Sequence, residues 1–223
     1  MKKELLGQAL IKFASGVALV MLLTFLPAGT FSYWQAWLLC GVLFIPMLAA
    51  GIVMLQKAPD LLAKRLNLKE RQGEQKTVVA LSGLLFIVMF VLAGLGRRFG
   101  WFMLPPAVSW IAAVVFLLGY ALFAEVLREN AYLSRTVEVQ KGQTVIDTGL
   151  YGIVRHPMYS ATLLLFLSMP LILGSLFSFL VMLGYVPVIV LRIRNEESVL
   201  TEGLKGYADY RTRIKYRLIP FIW

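Results

Sequence analysis

Long apolar runs with few charges are the feature that most limits what this chain can fold into. Residues 5–26, 31–55 and 77–96 are each about as long as a bilayer-crossing helix, which needs about 20 mostly apolar residues. A fourth run lies within residues 101–127. Unpaired backbone groups are not tolerated in lipid, so such runs must form helices. The sequence therefore predicts an all-α, polytopic integral membrane protein.

The last apolar run, residues 158–191, is too long for one ordinary span. Pro170 and the pair Gly174-Ser175 interrupt it, and glycine beside serine is typical of a turn. We therefore predict a C-terminal helical hairpin with arms of about 16 residues, short for full spans, and about six transmembrane helices in all.

The charged residues are unevenly distributed between the predicted loops. The chain has 22 Lys and Arg against 12 Asp and Glu. The basic residues gather at the N-terminus, in loops 56–76 and 128–155 and in the tail from residue 192, whereas the opposite loops hold only Arg97 and Arg98. Cytoplasmic loops are enriched in Lys and Arg. We expect both termini to be cytoplasmic, and we expect no nucleic-acid partner because the charges sit at the ends of spans.

Two polar segments on this same face are the places where a functional site can form. Cys40 is the only cysteine and lies within an apolar run, so the sequence has no Cys/His cluster with metal-binding spacing and we expect no metal. Residues 139–159 read VQKGQTVIDTGLYGIVRHPMY, and residues 192–220 read RIRNEESVLTEGLKGYADYRTRIKYRLIP. Two solvated loops would be the alternative to a site here.

These two segments resemble the paired signatures of the isoprenylcysteine carboxyl methyltransferase and phospholipid methyltransferase superfamily. The first combines a G-x-Y turn with RHPxY. The second has an Arg before a Glu-Glu pair, then Leu, a Gly–Tyr segment and a closing Ile-Pro. The resemblance covers about residues 125–223. It implies a membrane-embedded, S-adenosylmethionine-dependent methyltransferase, with membrane helices 1–3 in residues 1–100 and the catalytic region in residues 101–223.

The resemblance also implies roles for individual residues. It places Arg192 at the carboxylate of the substrate and a further polar cofactor contact near Thr136. The remaining cofactor contacts that it implies are Gln143, Thr144, Val145, Ile146, Tyr151, His156, Pro157, Met158, Tyr159, Glu196 and Glu197.

The chemistry of these residue types agrees with the implied roles. Gly142 and Gly149 permit turns, and Tyr151 can stack on adenine or approach a sulfonium as a cation–π partner. Pro157 suits the first turn of a helix, whose N-terminus favours anions such as the carboxylate of the cofactor. His156, the only histidine, could otherwise be a packed residue, and Met158 could be simple packing.

Arg192 and Glu196 are four residues apart, so on a helix they share a face and can pair. Glu197 points elsewhere. A solvated ion pair is the alternative to a functional role. A carboxylate nucleophile is already ionised at neutral pH and needs no general base, so methyl transfer depends mainly on positioning.

Three other functions remain open from the sequence. An amine headgroup could be the nucleophile, as in phospholipid N-methyltransferases, but an ammonium must first lose a proton. Sterol and enone reductases that use NADPH share a related RHPxY segment, although they typically have Trp and Asn at the positions of Tyr151 and Met158. A scaffold or small transporter is the non-enzymatic alternative. For the methyltransferase, we expect a lipophilic or lipidated substrate that arrives sideways from the membrane lipids, and a site at the cytoplasmic face.

Overall fold

The computed structural model describes residues 2–66, 73–133 and 139–223, and within these residues the regular structure is helical. Thr136 lies outside the described residues. The bounds of the helices are α1 Lys2–Ala28, α2 Trp34–Lys57, α3 Pro59–Leu66, α4 Gly73–Phe99, α5 Pro106–Glu129, α6 Pro157–Ile172, α7 Leu176–Met182, α8 Tyr185–Gly203 and α9 Tyr207–Arg213, with a short 3-10 helix at Gly149–Gly152.

Five helical stretches are long and apolar enough to cross a membrane. They are Lys3–Ala28, Trp34–Lys57, Gln75–Phe99, Pro106–Glu129 and Leu176–Gly203, the last of which joins α7 and α8. Helix α6, Pro157–Ile172, is apolar but has only 16 residues. The predicted all-α, polytopic membrane fold is therefore confirmed, with α6 as the short first arm of the C-terminal hairpin.

The turn of that hairpin lies where the Gly-Ser pair predicts it. Gly174 adopts a φ of +69°, which glycine tolerates without a steric penalty, and the Ser175 N–H donates to the Pro170 carbonyl at 3.0 Å. Ser175 then caps α7, because its side chain accepts a hydrogen bond from the Ser178 N–H. The second arm is longer than predicted and stays helical to Gly203. Arg192 and Glu196 therefore lie on a membrane-anchored helix and not in a free tail.

Helices α5 and α6 run antiparallel in close contact. Small residues let the backbones approach, as is common in membranes: a Cβ added at Gly119 would meet the Leu165 side chain at 3.1 Å. Ala112 and Ala113 are also buried on α5. This pairing brings the C-terminal end of α5 beside the N-terminal end of α6, at the boundary where the polar segments meet.

The helix order places the predicted basic segments at one end of the bundle. The Lys12 ammonium donates to the Leu66 carbonyl, and the Lys64 ammonium in α3 donates to the Ala131 carbonyl at 3.4 Å. At the other end, the Tyr33 hydroxyl donates to the Leu173 carbonyl at 2.6 Å. The loops therefore alternate between the two ends of the bundle, and the segments after α2 and after α5 lie at the same end as the N-terminal part of α1.

Helices α1 and α4 also pack closely, and this contact supplies a test of the fold. A Cβ added at Gly94 would lie 2.5 Å from the Thr24 carbonyl oxygen, whereas one added at Gly83 on the same helix meets nothing within 4 Å. We expect Gly94→Ala to destabilise the protein by about 1–3 kcal/mol, because the backbones must separate. Gly83→Ala should leave the apparent melting temperature in detergent unchanged or raised. Equal behaviour of the two variants would contradict the packing.

Candidate functional site

A cavity opens at the basic end of the bundle, between the ends of α5 and α6, the polar half of α8 and helix α9. Its volume is about 850 Å³, including the part that opens to solvent. The two polar segments, far apart in sequence, line this cavity together.

Ten of the predicted site residues lie at the cavity wall. They are Gln143, Thr144, Val145, Ile146, Tyr151, His156, Met158, Tyr159, Arg192 and Glu196. Pro157 and Glu197 are buried beside the cavity without lining it. The structure therefore brings the predicted residues into one place, and their roles toward a ligand stay predictions.

The segment Gln143–Ile146 forms a non-helical wall of the cavity. Gly142 before it adopts a φ of +74°, and the turn is closed by the Gln143 N–H, which donates to the Gln140 carbonyl at 3.0 Å. The Gln143 side chain accepts from the Gln140 N–H at 2.8 Å. These bonds hold the segment in an irregular conformation that exposes its edge to the cavity.

Tyr151 is held from three directions. Its hydroxyl accepts a hydrogen bond from the Asn130 amide at 2.9 Å, and its carbonyl accepts from the Tyr210 hydroxyl at 2.8 Å. The Glu129 carboxylate accepts the Leu150 N–H at 3.0 and 3.1 Å. Burial raises the pKa of Tyr151 above that of a free phenol, so its hydroxyl remains protonated. Protein partners therefore hold the Tyr151 ring and its turn in place at the cavity wall.

Gly149 is required by the same contact with Glu129. It adopts a φ of +53°, and a Cβ at this position would lie 1.8 Å from a Glu129 carboxylate oxygen. Any larger residue would displace either the carboxylate or the 3-10 helix that carries Tyr151. The G-x-Y turn thus needs glycine at position 149 because the Glu129 carboxylate, at the end of α5, fills the space that a side chain would occupy.

Glu197 is the centre of a buried cluster of charges. One carboxylate oxygen accepts from Arg155 Nε at 2.7 Å and lies 3.3 Å from His156 Nε2, and the other accepts from Arg217 Nε at 3.0 Å. The side chains of Glu197, Arg155 and His156 are each about 4–5% exposed. A buried carboxylate needs such partners to offset the loss of water.

The C-terminal tail is fastened to the same cluster through its backbone. The Arg155 guanidinium also donates to the carbonyls of Ile214 and Lys215, at 2.6 and 3.0 Å. The N–H groups of Arg155 and His156 donate to the carbonyls of Tyr216 and Arg217, each at 2.9 Å. Glu197 thus joins helix α8, the RHPMY segment and the tail.

A second polar chain faces the cavity. Arg192 Nε donates to the Tyr159 hydroxyl at 2.9 Å, and that hydroxyl donates to a Glu196 carboxylate oxygen at 2.5 Å. Arg192 and Glu196 therefore share a face of α8, as their spacing predicts, and Tyr159 of α6 lies between them. A cation and an anion are held side by side at the cavity wall.

Several further lining residues were not predicted as site residues. They are Asn130, Tyr132, Leu133, Arg155, Leu200, Leu204, Tyr207 and Tyr210. Arg155 lies in the segment 139–159, and Leu200, Leu204, Tyr207 and Tyr210 lie in the segment 192–220. Their positions in these two segments could have indicated that they lie near the site. Nothing local to Asn130 or Tyr132 distinguishes them from ordinary residues after a helix end.

Part of the chain matches a known protein family. Residues 107–206 match the family model described as phospholipid methyltransferase. The match covers a little under half of the chain and makes these residues similar to the phospholipid methyltransferase family. The matched region runs from the start of α5 to the loop before α9, and it includes the RHPMY segment and the Arg192–Glu197 segment.

A solved structure has a fold similar to that of this chain. It is the eukaryotic intramembrane Ras methyltransferase ICMT (isoprenylcysteine carboxyl methyltransferase), with a TM-score of 0.58 and 21% identity over 96% of this chain and 77% of that chain. The mouse (Mus musculus) Delta(14)-sterol reductase TM7SF2 is 30% identical over 91 residues. This match covers 40% of the chain and only 22% of the length of the reductase.

The charge cluster generates a prediction about stability. Replacing Glu197 by Ala leaves Arg155 buried without its carboxylate, and breaking a buried ion pair costs about 3–5 kcal/mol. We expect a large drop in the apparent melting temperature of Glu197→Ala in detergent. Glu202→Ala, one to two turns along the same helix at an exposed position, should change stability by less than about 0.5 kcal/mol. Similar melting temperatures of the two variants would show that the cluster does not hold the tail.

Proposed function

We propose that this protein is a membrane-embedded methyltransferase that transfers a methyl group from S-adenosylmethionine to a lipophilic substrate. The observation that supports the proposal is a cavity at the polar end of the helix bundle, which is lined by both signature segments. A polar cofactor would approach from the aqueous side, and a lipophilic substrate from the bilayer between helices. The end of the bundle that holds the site and both termini would face the cytoplasm, according to the distribution of basic residues.

The residues of the cavity suit S-adenosylmethionine, a cation that carries an adenine ring. Aromatic side chains and the Glu196 carboxylate can stabilise a positive sulfonium and ammonium, and the apolar wall of Val145 and Ile146 can cover a purine face. The N-terminus of α6, opened by His156 and Pro157, favours a carboxylate. We assign the cofactor contacts to Gln143–Ile146, Tyr151, His156–Tyr159 and the Glu196–Glu197 pair, with Glu197 acting through His156.

The proposed acceptor is the carboxylate of an isoprenylcysteine-like compound. Held by these residues, S-adenosylmethionine would supply an electrophilic methyl group to the carboxylate oxygen, and the products would be a methyl ester and S-adenosylhomocysteine. Arg192 would hold the carboxylate by charge-assisted hydrogen bonds. Exclusion of water by the surrounding helices strengthens these interactions, since the effective dielectric falls. No proton has to be removed, so the site requires no general base.

One observation favours an amine acceptor as a second candidate. The Tyr159 hydroxyl donates to Glu196 at 2.5 Å, and this pair could accept the proton that an ammonium headgroup must lose before it attacks. A phospholipid amine would then be the substrate, in keeping with the description of the matched family. The two candidates predict chemically different products from the same cavity.

The substrate class can be decided with one methyl-transfer assay. Detergent-purified protein is incubated with radiolabelled S-adenosylmethionine and either farnesylcysteine derivatives or a total lipid extract. Esters release volatile methanol in base, and methylamines do not. We expect base-labile label on the farnesylcysteine derivatives. Base-stable label in the lipid fraction would support the amine candidate instead.

The same preparation separates the methyltransferase from other classes. Calorimetric titration with S-adenosylmethionine should show binding, and titration with NADPH should not. Binding of NADPH alone would support a reductase like the sterol reductase relative. Absence of binding and of methyl transfer with either substrate set would favour a scaffold or transporter.

The role of Arg192 generates a further prediction. Replacing a bidentate guanidinium by an ammonium weakens a charge-assisted contact, worth about 1.5–3 kcal/mol. We expect Arg192→Lys to lower kcat/KM for the carboxylate substrate by about 10- to 100-fold, with little change in the Kd of S-adenosylmethionine. Arg194→Lys, two residues away and exposed, is the control and should retain full activity. Unchanged kcat/KM in Arg192→Lys would remove Arg192 from the substrate site.

A further inference from the structure

Tyr207 is a buried cavity residue whose hydroxyl has no hydrogen-bond partner in the described part of the chain. Its side chain lines the cavity and is 4% exposed, and its Oη has no partner within reach among those residues. A buried hydroxyl that bonds to nothing costs free energy. Because nearly all buried polar groups in folded proteins are paired, an exception calls for a specific explanation.

The other buried tyrosines of the cavity differ from Tyr207 in this respect. The Tyr151 hydroxyl accepts from Asn130, the Tyr159 hydroxyl bonds to both Arg192 and Glu196, and the Tyr210 hydroxyl donates to the Tyr151 carbonyl. Each of these tyrosines is therefore satisfied by the protein itself. Tyr207 lines the cavity, and its buried hydroxyl is left unpaired among the described residues.

The surroundings of Tyr207 indicate which part of a ligand it would meet. Tyr207, Leu204 and Tyr210 form a small apolar cluster, and Val145 and Leu200 pack against it. A mostly apolar wall with one hydroxyl suits a flat, weakly polar group that offers hydrogen-bond acceptors at its edge.

The hydroxyl remains a donor under ordinary conditions. Burial raises the pKa of Tyr207, and the negative charges of Glu197 and Glu196 raise it further. The hydroxyl therefore keeps its proton throughout the neutral and mildly alkaline range. It can donate a hydrogen bond to an acceptor atom of a bound ligand.

We propose that the Tyr207 hydroxyl donates a hydrogen bond to a ring nitrogen of the adenine of S-adenosylmethionine. This inference rests on the proposed function, because it assigns a residue to the cofactor site. It makes Tyr207 a binding residue outside the set implied by the sequence resemblance. It also predicts opposite effects on stability and on binding, which a purely structural tyrosine would not produce.

Tyr207→Phe tests this inference in the full-length, detergent-purified protein. Without ligand, the variant should melt at the same temperature as the wild type or a few degrees higher, since a buried unpaired hydroxyl is removed. Its Kd for S-adenosylmethionine and for S-adenosylhomocysteine should rise about three- to tenfold, the value of one hydrogen bond. Calorimetry and thermal unfolding measure the two quantities.

Tyr210→Phe is the matched control, because its hydroxyl has a protein partner at 2.8 Å. We expect it to lower the melting temperature of the ligand-free protein, unlike Tyr207→Phe. If the wild type binds S-adenosylmethionine and Tyr207→Phe binds it equally well, the assignment of Tyr207 is wrong while the proposed function stands. If the wild type itself does not bind, the proposed function fails.

Analogues of the ligand identify the acceptor atom. Deaza derivatives of S-adenosylhomocysteine replace one ring nitrogen of the purine by CH. The ratio of the Kd values of Tyr207→Phe and wild type should fall to about one for the analogue that lacks the bonded nitrogen. A ratio that stays constant for all ring-nitrogen analogues would overturn the adenine assignment.

Discussion

The buried carboxylate of Glu197 is the interaction on which the site depends. It meets Arg155 and Arg217 at 2.7 and 3.0 Å and lies 3.3 Å from His156. A charge this deeply buried is tolerated only with close partners, and those partners come from three separate parts of the chain. Helix α8, the segment before α6 and the C-terminal tail are thereby drawn together around one edge of the cavity.

The Glu197 cluster matters because the membrane-spanning parts of the helices contain few polar groups that could hold the segments together. The apolar spans are determined by lipid and tolerate many sequences, but they do not by themselves bring polar side chains into contact. Polar groups become concentrated only where the helices end. Here the antiparallel pairing of α5 and α6 places Glu129 and Asn130 beside the turn that carries Tyr151, and α8 continues past the apolar zone so that its charged face closes the cavity.

The two polar networks have different functions in this arrangement. The network around Glu197 is largely buried and is made of protein partners, which suits it to hold His156 and the tail in place, and its Arg155 and His156 also line the cavity. The chain formed by Arg192, Tyr159 and Glu196 borders the cavity and is suited to meet a ligand. Adjacent residues of a helix are about 100° apart, so Glu196 and Glu197 face these two environments separately.

The apolar runs determined the helical membrane fold, and the charge distribution predicted one basic end, because lipid admits few alternatives. The two signature segments, residues 139–159 and 192–220, contain the ten predicted residues that line the cavity. Only the tertiary structure decided which groups pair across the chain. Local sequence cannot specify that Gly149 must make room for Glu129 or that Tyr207 is left unpaired in the cavity, since both depend on residues brought close by helix packing.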